Sequence, residues 1–332
     1  MKAIVWTAFG PPDVLQLQKV EKPTPKDNEL LIRIRATTVS TGDCEMRSMR
    51  LATWLQLPMR LYVGFRKPKR ITILGSYLAG DIEAIGKDVV RFAVGDAVFG
   101  CTDLKFGTYA EYVCLAENAT LVTKPANLTY EEAAAVALGG LESLHFLSKA
   151  NIQPGQTVLI NGAGGSIGTY GVQLAKHFGA EVTAVDSADK LDMLRAIGAN
   201  HVVDYTREDF SKKGLKYDVI LDVVLKSSFS RIIASLNLNG VYLLTNPTLL
   251  KMARGVWVSR SAGRKVISAA TSPNAADLTV LKELIEAGKI KTVIDRCYPL
   301  EEIVEAHQYV DTGRKKGNVV ITVDHHSRQH SQ

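Results

Sequence analysis

The segment Val158-Leu159-Ile160-Asn161-Gly162-Ala163-Gly164-Gly165-Ser166-Ile167-Gly168 constrains this chain most, because a glycine-dense turn there joins a β-rich apolar run directly to a helix-forming one. Glycine lets the backbone bend sharply and approach a ligand closely. The free N–H groups and partial positive charge at a helix start face whatever anion lies beyond such a turn. Strand, glycine turn and helix in that order predict a cradle for a diphosphate, formed by Gly162, Gly164, Gly165, Ser166, Ile167 and Gly168. The spacing departs from G-x-G-x-x-G at Ile167 and reads instead as G-x-x-G-x-x-G through Gly162, Gly165 and Gly168. Alone it would also suit a turn that merely packs a helix on a strand. Asp186 favours the nucleotide, since it ends the next predicted strand 18 residues after Gly168, where a carboxylate accepts hydrogen bonds from the adenosine ribose. Asp186 repels a 2′-phosphate, whereas Ser187, Lys190 and Arg207 would bind one. The balance leans to NADH, with NADPH use allowed.

The 332 residues exceed the usual length of one domain, and the chain changes texture along its length. Up to about residue 125, short β-rich runs (3–6, 29–36, 76–85, 97–99 and 109–113) alternate with Gly and Pro punctuation. At Thr129-Tyr130-Glu131-Glu132 a capping box opens a helix-forming run. Strands at 157–161, 182–185, 202–203, 219–223, 241–244 and 265–268 follow, with helices at 167–178 and 190–197 between the early ones. This alternation predicts βαβ units and a parallel sheet. Helices at 278–287 and 300–310 and a strand at 318–323 close the chain. Expected boundaries are 1–125 with 266–324 for a β-rich domain and 126–265 for the nucleotide domain, with 325–332 a disordered tail.

A net charge of +6 could attract anionic ligands but does not require nucleic acid, so a phosphate-bearing cofactor and a small-molecule substrate are the expected partners. No apolar run of membrane-spanning length occurs, and Met1-Lys2-Ala3-Ile4-Val5-Trp6 lacks the regions of a signal peptide, so a cytoplasmic location is expected. Cys44, Cys101, Cys114 and Cys297 form no CxxC pair and read as buried free thiols. His145 and His177 read as ordinary helix positions, and metal binding by His325, His326 and His330 would require ordering a polar tail. Residues 51–65 combine Trp54, Leu55, Leu57, Leu61, Tyr62 and Val63, followed by Arg66, Lys67, Lys69 and Arg70. They read as a core-packed helix with a solvated charged loop. A lid over an apolar substrate and a weak contact of 51–70 with a membrane surface are the alternatives.

Together with the glycine turn, the segments 75–76, 79–80, 83–86, 94–96, 107–112 and 316–321 resemble the medium-chain dehydrogenase/reductase superfamily, in its zinc-independent quinone oxidoreductase-like branch. The resemblance implies an α/β fold class: a GroES-like β-rich catalytic domain plus a Rossmann domain with a doubly wound parallel sheet, the active site lying in the cleft between them. It also implies a homodimer. Zinc-dependent members carry a catalytic Cys and His where this chain has Ser40 and Ser76, and a four-cysteine lobe where it has only Cys101 and Cys114. No metal site is therefore expected. The quinone reductases usually carry Asn at the position of Ser40 and often Tyr near Glu45. Ser40, Thr41 and Asp43 are the candidate catalytic residues. Asp43 reads equally as a turn carboxylate. Tyr205 matches a residue packed near the adenosine, and Asn318 a region near the nicotinamide. The implied activity is NAD(P)H-dependent hydride transfer to quinones or α,β-unsaturated carbonyl compounds. An enoyl-thioester or enone reductase of the same superfamily is the near alternative, and a nucleotide-binding structural or redox-sensing protein with little turnover the distant one.

Overall fold

The computed structural model describes residues 1–224, 227–261, 263–268 and 272–325, and the chain forms two compact units. The first comprises Met1–Leu138, Asn274–Lys282 and the chain from Ile294 onward; the second comprises Gly139–Pro273 and Glu283–Val293.

The first unit is built on the long strand Glu29–Val39, where Leu30, Ile32, Ile34 and Ala36 alternate inward and so supply the period-2 apolar face of a strand. It pairs antiparallel with Tyr77–Ile85, Tyr112–Ala116 and Asn318–Thr322. The return of the C-terminal strand to the first sheet is thus written in hydrogen bonds. Leu30, Ile32, Ile34, Leu78, Val98, Val319 and Ile321 share one core with Trp6, Tyr109 and Ile303. The run expected at 109–113 lies three residues later, at Tyr112–Ala116. Phe106 and Gly107 both have positive φ, and Tyr109 is drawn into irregular pairing with Leu74 and Ile4 instead of a ladder.

The second unit carries six parallel strands in the order His201–Asp204, Glu181–Asp186, Thr157–Asn161, Tyr217–Asp222, Leu236–Leu244, Lys265–Ile267. In chain order this is 3-2-1-4-5-6, the doubly wound arrangement of dinucleotide-binding sheets. Buried Val158, Leu159 and Ile160 beside Val219, Ile220 and Leu221 give the near-continuous apolar runs that a parallel sheet covered on both faces requires. The capping box at Thr129 is formed: Glu132 N–H donates to Thr129 Oγ1 at 3.2 Å, and Thr129 N–H to a Glu132 carboxylate oxygen at 2.9 Å. It opens the helix Tyr130–Ala150.

Several expectations need correction. The helix Thr53–Val63 is core-packed on one side alone: Val63 is buried in the core and Met59 packs against it, while Trp54, Leu57, Leu61 and Tyr62 are exposed. Among the four thiols only Cys44 and Cys101 are buried, and Cys297 is exposed. His325 is not part of a loose tail: its ring hydrogen-bonds to Ile34 O at 2.6 Å and stacks edge-on against Tyr112. His326 and His330 lie outside the described residues.

Candidate functional site

Three glycines of the turn do different work. Gly162, just after the first strand of the parallel sheet, has φ +86°, and its N–H and that of Ala163 both donate to Val185 O at 3.0 Å. A side chain there would be strained. Gly168 is a packing position, because a Cβ would meet Gly162 O at 2.3 Å and Ala163 Cα at 2.5 Å. At Gly165 a Cβ would meet nothing nearer than Gly162 O at 3.9 Å. Gly165 is also the N-cap of the helix Ser166–His177 and offers no side-chain acceptor to its first turn. A side chain at Gly165 would thus enter open space at a helix start, the kind of place where backbone N–H groups can meet an anion. A second helix braces the turn from behind: Ser143 Oγ donates to Ile167 O at 2.6 Å, and a Cβ on Gly139 would strike Ser166 O at 2.1 Å.

The turn leaves the carboxyl end of Thr157–Asn161, which pairs on one side with Glu181–Asp186 and on the other with Tyr217–Asp222. Strand order reverses here, and ligands of open α/β sheets bind where it does. Asn161 Nδ2 donates to Asp222 Oδ1 at 2.9 Å, and the other oxygen of Asp222 accepts from Tyr242 Oη at 2.7 Å and from Ser227 Oγ. This network ties three neighbouring strands of the parallel sheet together beside the turn. Asn161 and Asp222 were not singled out in the sequence, where each ends an apolar run and looks like turn punctuation.

Asp186 lies where the sequence placed it, at a strand end beside the turn, and it is largely engaged by the protein. Gly164 N–H donates to Oδ2 at 2.7 Å, Ser187 N–H to Oδ1 at 2.9 Å, and Lys190 Nζ sits 3.1 Å from Oδ1. Both side chains of the ion pair are about 8% exposed. The Lys190 stem lies over Gly164, whose added Cβ would meet Lys190 Cδ at 2.4 Å. Ser187 Oγ donates to Asp189 at 2.6 Å. Tyr205 is 62% exposed, not a core residue, and its N–H donates to Asp186 O at 3.1 Å. Arg207 reaches outward and pairs with Asp204 at 3.5 Å. The turn, Asp186, Ser187, Lys190 and Tyr205 are thus brought together in one unit.

Ser40, Thr41, Asp43 and Asn318 belong to the other unit. Ser40 N-caps the helix Thr41–Ser48 in a reciprocal box: Ser40 N–H and Oγ–H donate to Asp43 Oδ2 at 2.8 and 2.6 Å, while Asp43 N–H donates to Ser40 Oγ at 3.0 Å. Burial raises the Asp43 carboxyl, against the hydrogen bonds from Ser40, Tyr109 and Gly75 that lower it. Thr41 is exposed at the first helical position. Asn318 is fully buried at the start of its strand. Behind Asp43, Cys44 Sγ lies 3.3 Å from His307 Nδ1, Arg47 donates to the same nitrogen at 2.8 Å, and Arg47 also pairs with Asp311 at 2.6 Å. Burial and the adjacent guanidinium hold His307 neutral, its pKa pushed down to about 3.

Sequence reading passed over Glu142, on the helix Tyr130–Ala150 one residue before the Ser143 that braces the turn. Desolvation raises its carboxyl to about 7. A lone acid inside GGLESL between small and apolar residues was the available signal.

Comparison with known proteins adds relatives to this geometry. Residues 26–126 match the alcohol dehydrogenase GroES-like domain and residues 197–321 the zinc-binding dehydrogenase family. A 2-methylene-furan-3-one reductase of Solanum lycopersicum is 33% identical, the match covering 97% of this chain and 79% of that protein. The chain belongs to the medium-chain dehydrogenase/reductase superfamily, in its quinone oxidoreductase-like branch. A quinone oxidoreductase of Pseudomonas aeruginosa is 29% identical over 96% of this chain and 99% of its own length. The structure of the quinone oxidoreductase from Coxiella burnetii superposes with a TM-score of 0.87 at 29% identity, covering 98% of this chain and 99% of that one. Membership makes the chain an NAD(P)H-dependent oxidoreductase.

The zinc named by one of these families does not fit the side chains present. Ser40 and Ser76, which the resemblance sets at the places of the catalytic Cys and His, offer hydroxyls in place of the sulfur and nitrogen donors zinc prefers. Cys44 packs against a neutral histidine and an arginine, and desolvation raises its thiol far above the thiolate range. No group of three or more His, Cys, Asp or Glu suited to a metal occurs among the described residues.

Proposed function

We propose that this protein is a zinc-independent reductase that holds NAD(P)H on the 162–168 turn and reduces quinones or α,β-unsaturated carbonyl compounds. The observation that carries the reading is the open space beyond Gly165, an N-cap residue with no side chain, at the start of the helix that follows the first strand of the parallel sheet. The first-turn amides of that helix bind the diphosphate, and Gly168 and Gly139 let the helix and its brace pack closely enough to aim them. Bound NAD(P)H supplies a hydride to an electron-poor carbon, leaving negative charge on the substrate oxygen. With no donor group suited to a metal among the described residues, the chain is proposed to contribute binding, orientation and hydrogen bonding, and well-oriented binding alone can lower a barrier by roughly 7 kcal/mol or more.

Thr41, exposed beside the capped Ser40, is the hydroxyl proposed to donate to that oxygen. Ser40 gives its own proton to Asp43 and acts as a positioning residue for the helix that presents Thr41. Asn318 is proposed to lie near the nicotinamide, and Tyr205, exposed beside Asp186, to flank the adenosine. Lys190 neutralises Asp186 and removes much of its repulsion of a 2′-phosphate, which supports use of NADPH beside NADH, with Ser187 at the same position. A homodimer, on family habit, and a cytoplasmic location complete the reading; light scattering tests the mass.

Turnover with a panel of quinones, enones and enoyl thioesters tests the substrate class, with oxidation of the reduced nicotinamide as readout. Saturable cofactor binding with no turnover of any acceptor would refute it.

A further inference from the structure

We infer that the surface formed by the helix Thr53–Val63 and the basic loop after it docks on an anionic phospholipid surface. This goes beyond the reductase reading and does not depend on it. Residues 46–80 contain no Asp or Glu, yet they hold Arg47, Arg50, Arg60, Arg66, Lys67, Lys69 and Arg70. Arg47 is buried and paired with Asp311. The other six cations have no acidic side chain within their own segment.

The helix beside this charge packs on the core through Val63 and Met59 and carries a second apolar side that is exposed. Trp54, Leu57 and Leu61 recur at helical spacing on one side and are 45%, 58% and 59% exposed, while Val63 is the buried residue. Phe65 continues the stripe at 60% exposure. Tyr62 hydrogen-bonds to Leu104 O at 3.1 Å, which brings a further exposed leucine to its edge.

The basic loop is folded back against this stripe. Lys69 N–H and Arg70 N–H both donate to Val63 O, at 3.1 and 3.0 Å. Arg60 donates to Phe65 O at 3.0 Å and Arg70 to Leu61 O at 3.3 Å. Gly64, at φ +147°, makes the reversal possible, since a Cβ there would meet Lys67 O at 2.2 Å. Apolar side chains and cations therefore present themselves together on a fixed scaffold.

Such a surface suits the boundary between acyl chains and headgroups, where apolar area and basic charge act in concert. A second copy of this chain is a poor occupant: a twofold contact of the patch with itself would set its cations against their equivalents. An acidic protein would satisfy the charge, but a bilayer also accepts a projecting apolar stripe without needing a complementary groove.

The test is flotation of the full-length chain with vesicles of phosphatidylcholine alone and of phosphatidylcholine with phosphatidylserine. Binding to the anionic vesicles that weakens with salt is expected, with little binding to the neutral ones. Lys67→Glu with Lys69→Glu should weaken binding by roughly 30-fold or more, at about fivefold for each basic charge lost. Leu57→Ser with Leu61→Ser should weaken it as well. Melting curves and cofactor titration check that both variants fold. Failure to bind anionic vesicles at physiological salt overturns the inference, and so does binding that both double variants leave intact. Self-association of the wild-type chain that Leu57→Ser with Leu61→Ser abolishes would reassign the patch to a protein contact.

Discussion

Replacing Gly165 with valine separates a ligand cradle from a packing turn. Space around Gly165 is open to 3.9 Å, so the folded chain accommodates the side chain. The change of N-cap from glycine costs about 0.5–1 kcal/mol of stability. The isopropyl group then occupies the volume in front of the first-turn amides. Losing about two charge-assisted hydrogen bonds, at roughly 1.5–3 kcal/mol each, weakens dinucleotide binding by about 100-fold or more. Gly168→Ala is the control with the opposite signature. Its Cβ would come within 2.3 Å of Gly162 O and 2.5 Å of Ala163 Cα, so it lowers stability by about 1–3 kcal/mol or more through overpacking. Titration calorimetry with NADPH and NADH, beside thermal melts of both variants, measures the two effects. A Gly165→Val protein that melts early but binds the dinucleotide as the wild type does would refute the cradle.

Other perturbations probe the surroundings. Lys190→Ala should reduce kcat/KM for NADPH by about tenfold or more relative to NADH, because it removes a cation and exposes the charge of Asp186; an unchanged ratio in steady-state kinetics would remove Lys190 from cofactor selection. His307 has a depressed folded-state pKa of about 3 against 6.5, so its contribution is present above pH 6.5 and is lost as pH falls towards 3, at most about 5 kcal/mol. Denaturant melts across this range should show the decline, and His307→Gln should flatten it. Glu142 has the opposite sign: its raised pKa of about 7 against 4.5 gives stability present below pH 4.5 and lost as pH rises through 7, up to about 3 kcal/mol. Glu142→Gln should then be the more stable protein at pH 8, and equal melts would count against the desolvation. Elemental analysis should find zinc far below one per chain, with activity unaffected by chelators.

The parallel sheet was legible because its strands are apolar runs bounded by glycine and by caps that act over a few residues. Val158-Leu159-Ile160 followed by the glycine turn marked a strand and the helix after it, and the box at Thr129 announced its helix. Other elements escaped for physical reasons. Thr41–Ser48 has no apolar period, and its signal was the Ser40 and Asp43 pair, which also reads as a turn. Leu249–Ser261 leaves Leu249, Leu250, Val256 and Trp257 exposed, so its apolar residues do not mark a buried face. Thr53–Val63 misled in the same way, since hydrophobicity predicts burial only when another element arrives to cover it. At the site, positions set by local chemistry were readable, as with Asp186 at its strand end. Its partners Gly164 and Lys190 come together through the turn's own curvature, which spacing alone does not encode. The network of Asp222 with Asn161, Tyr242 and Ser227 depends on neighbouring strands and was equally hidden.

Calorimetric titration of the purified wild-type chain with reduced coenzyme bears most directly on the central claim. A saturable isotherm with about one dinucleotide per chain is the expected result for NADPH, NADH or both. Absence of heat and of saturation with either one, in protein shown to be folded, would contradict it.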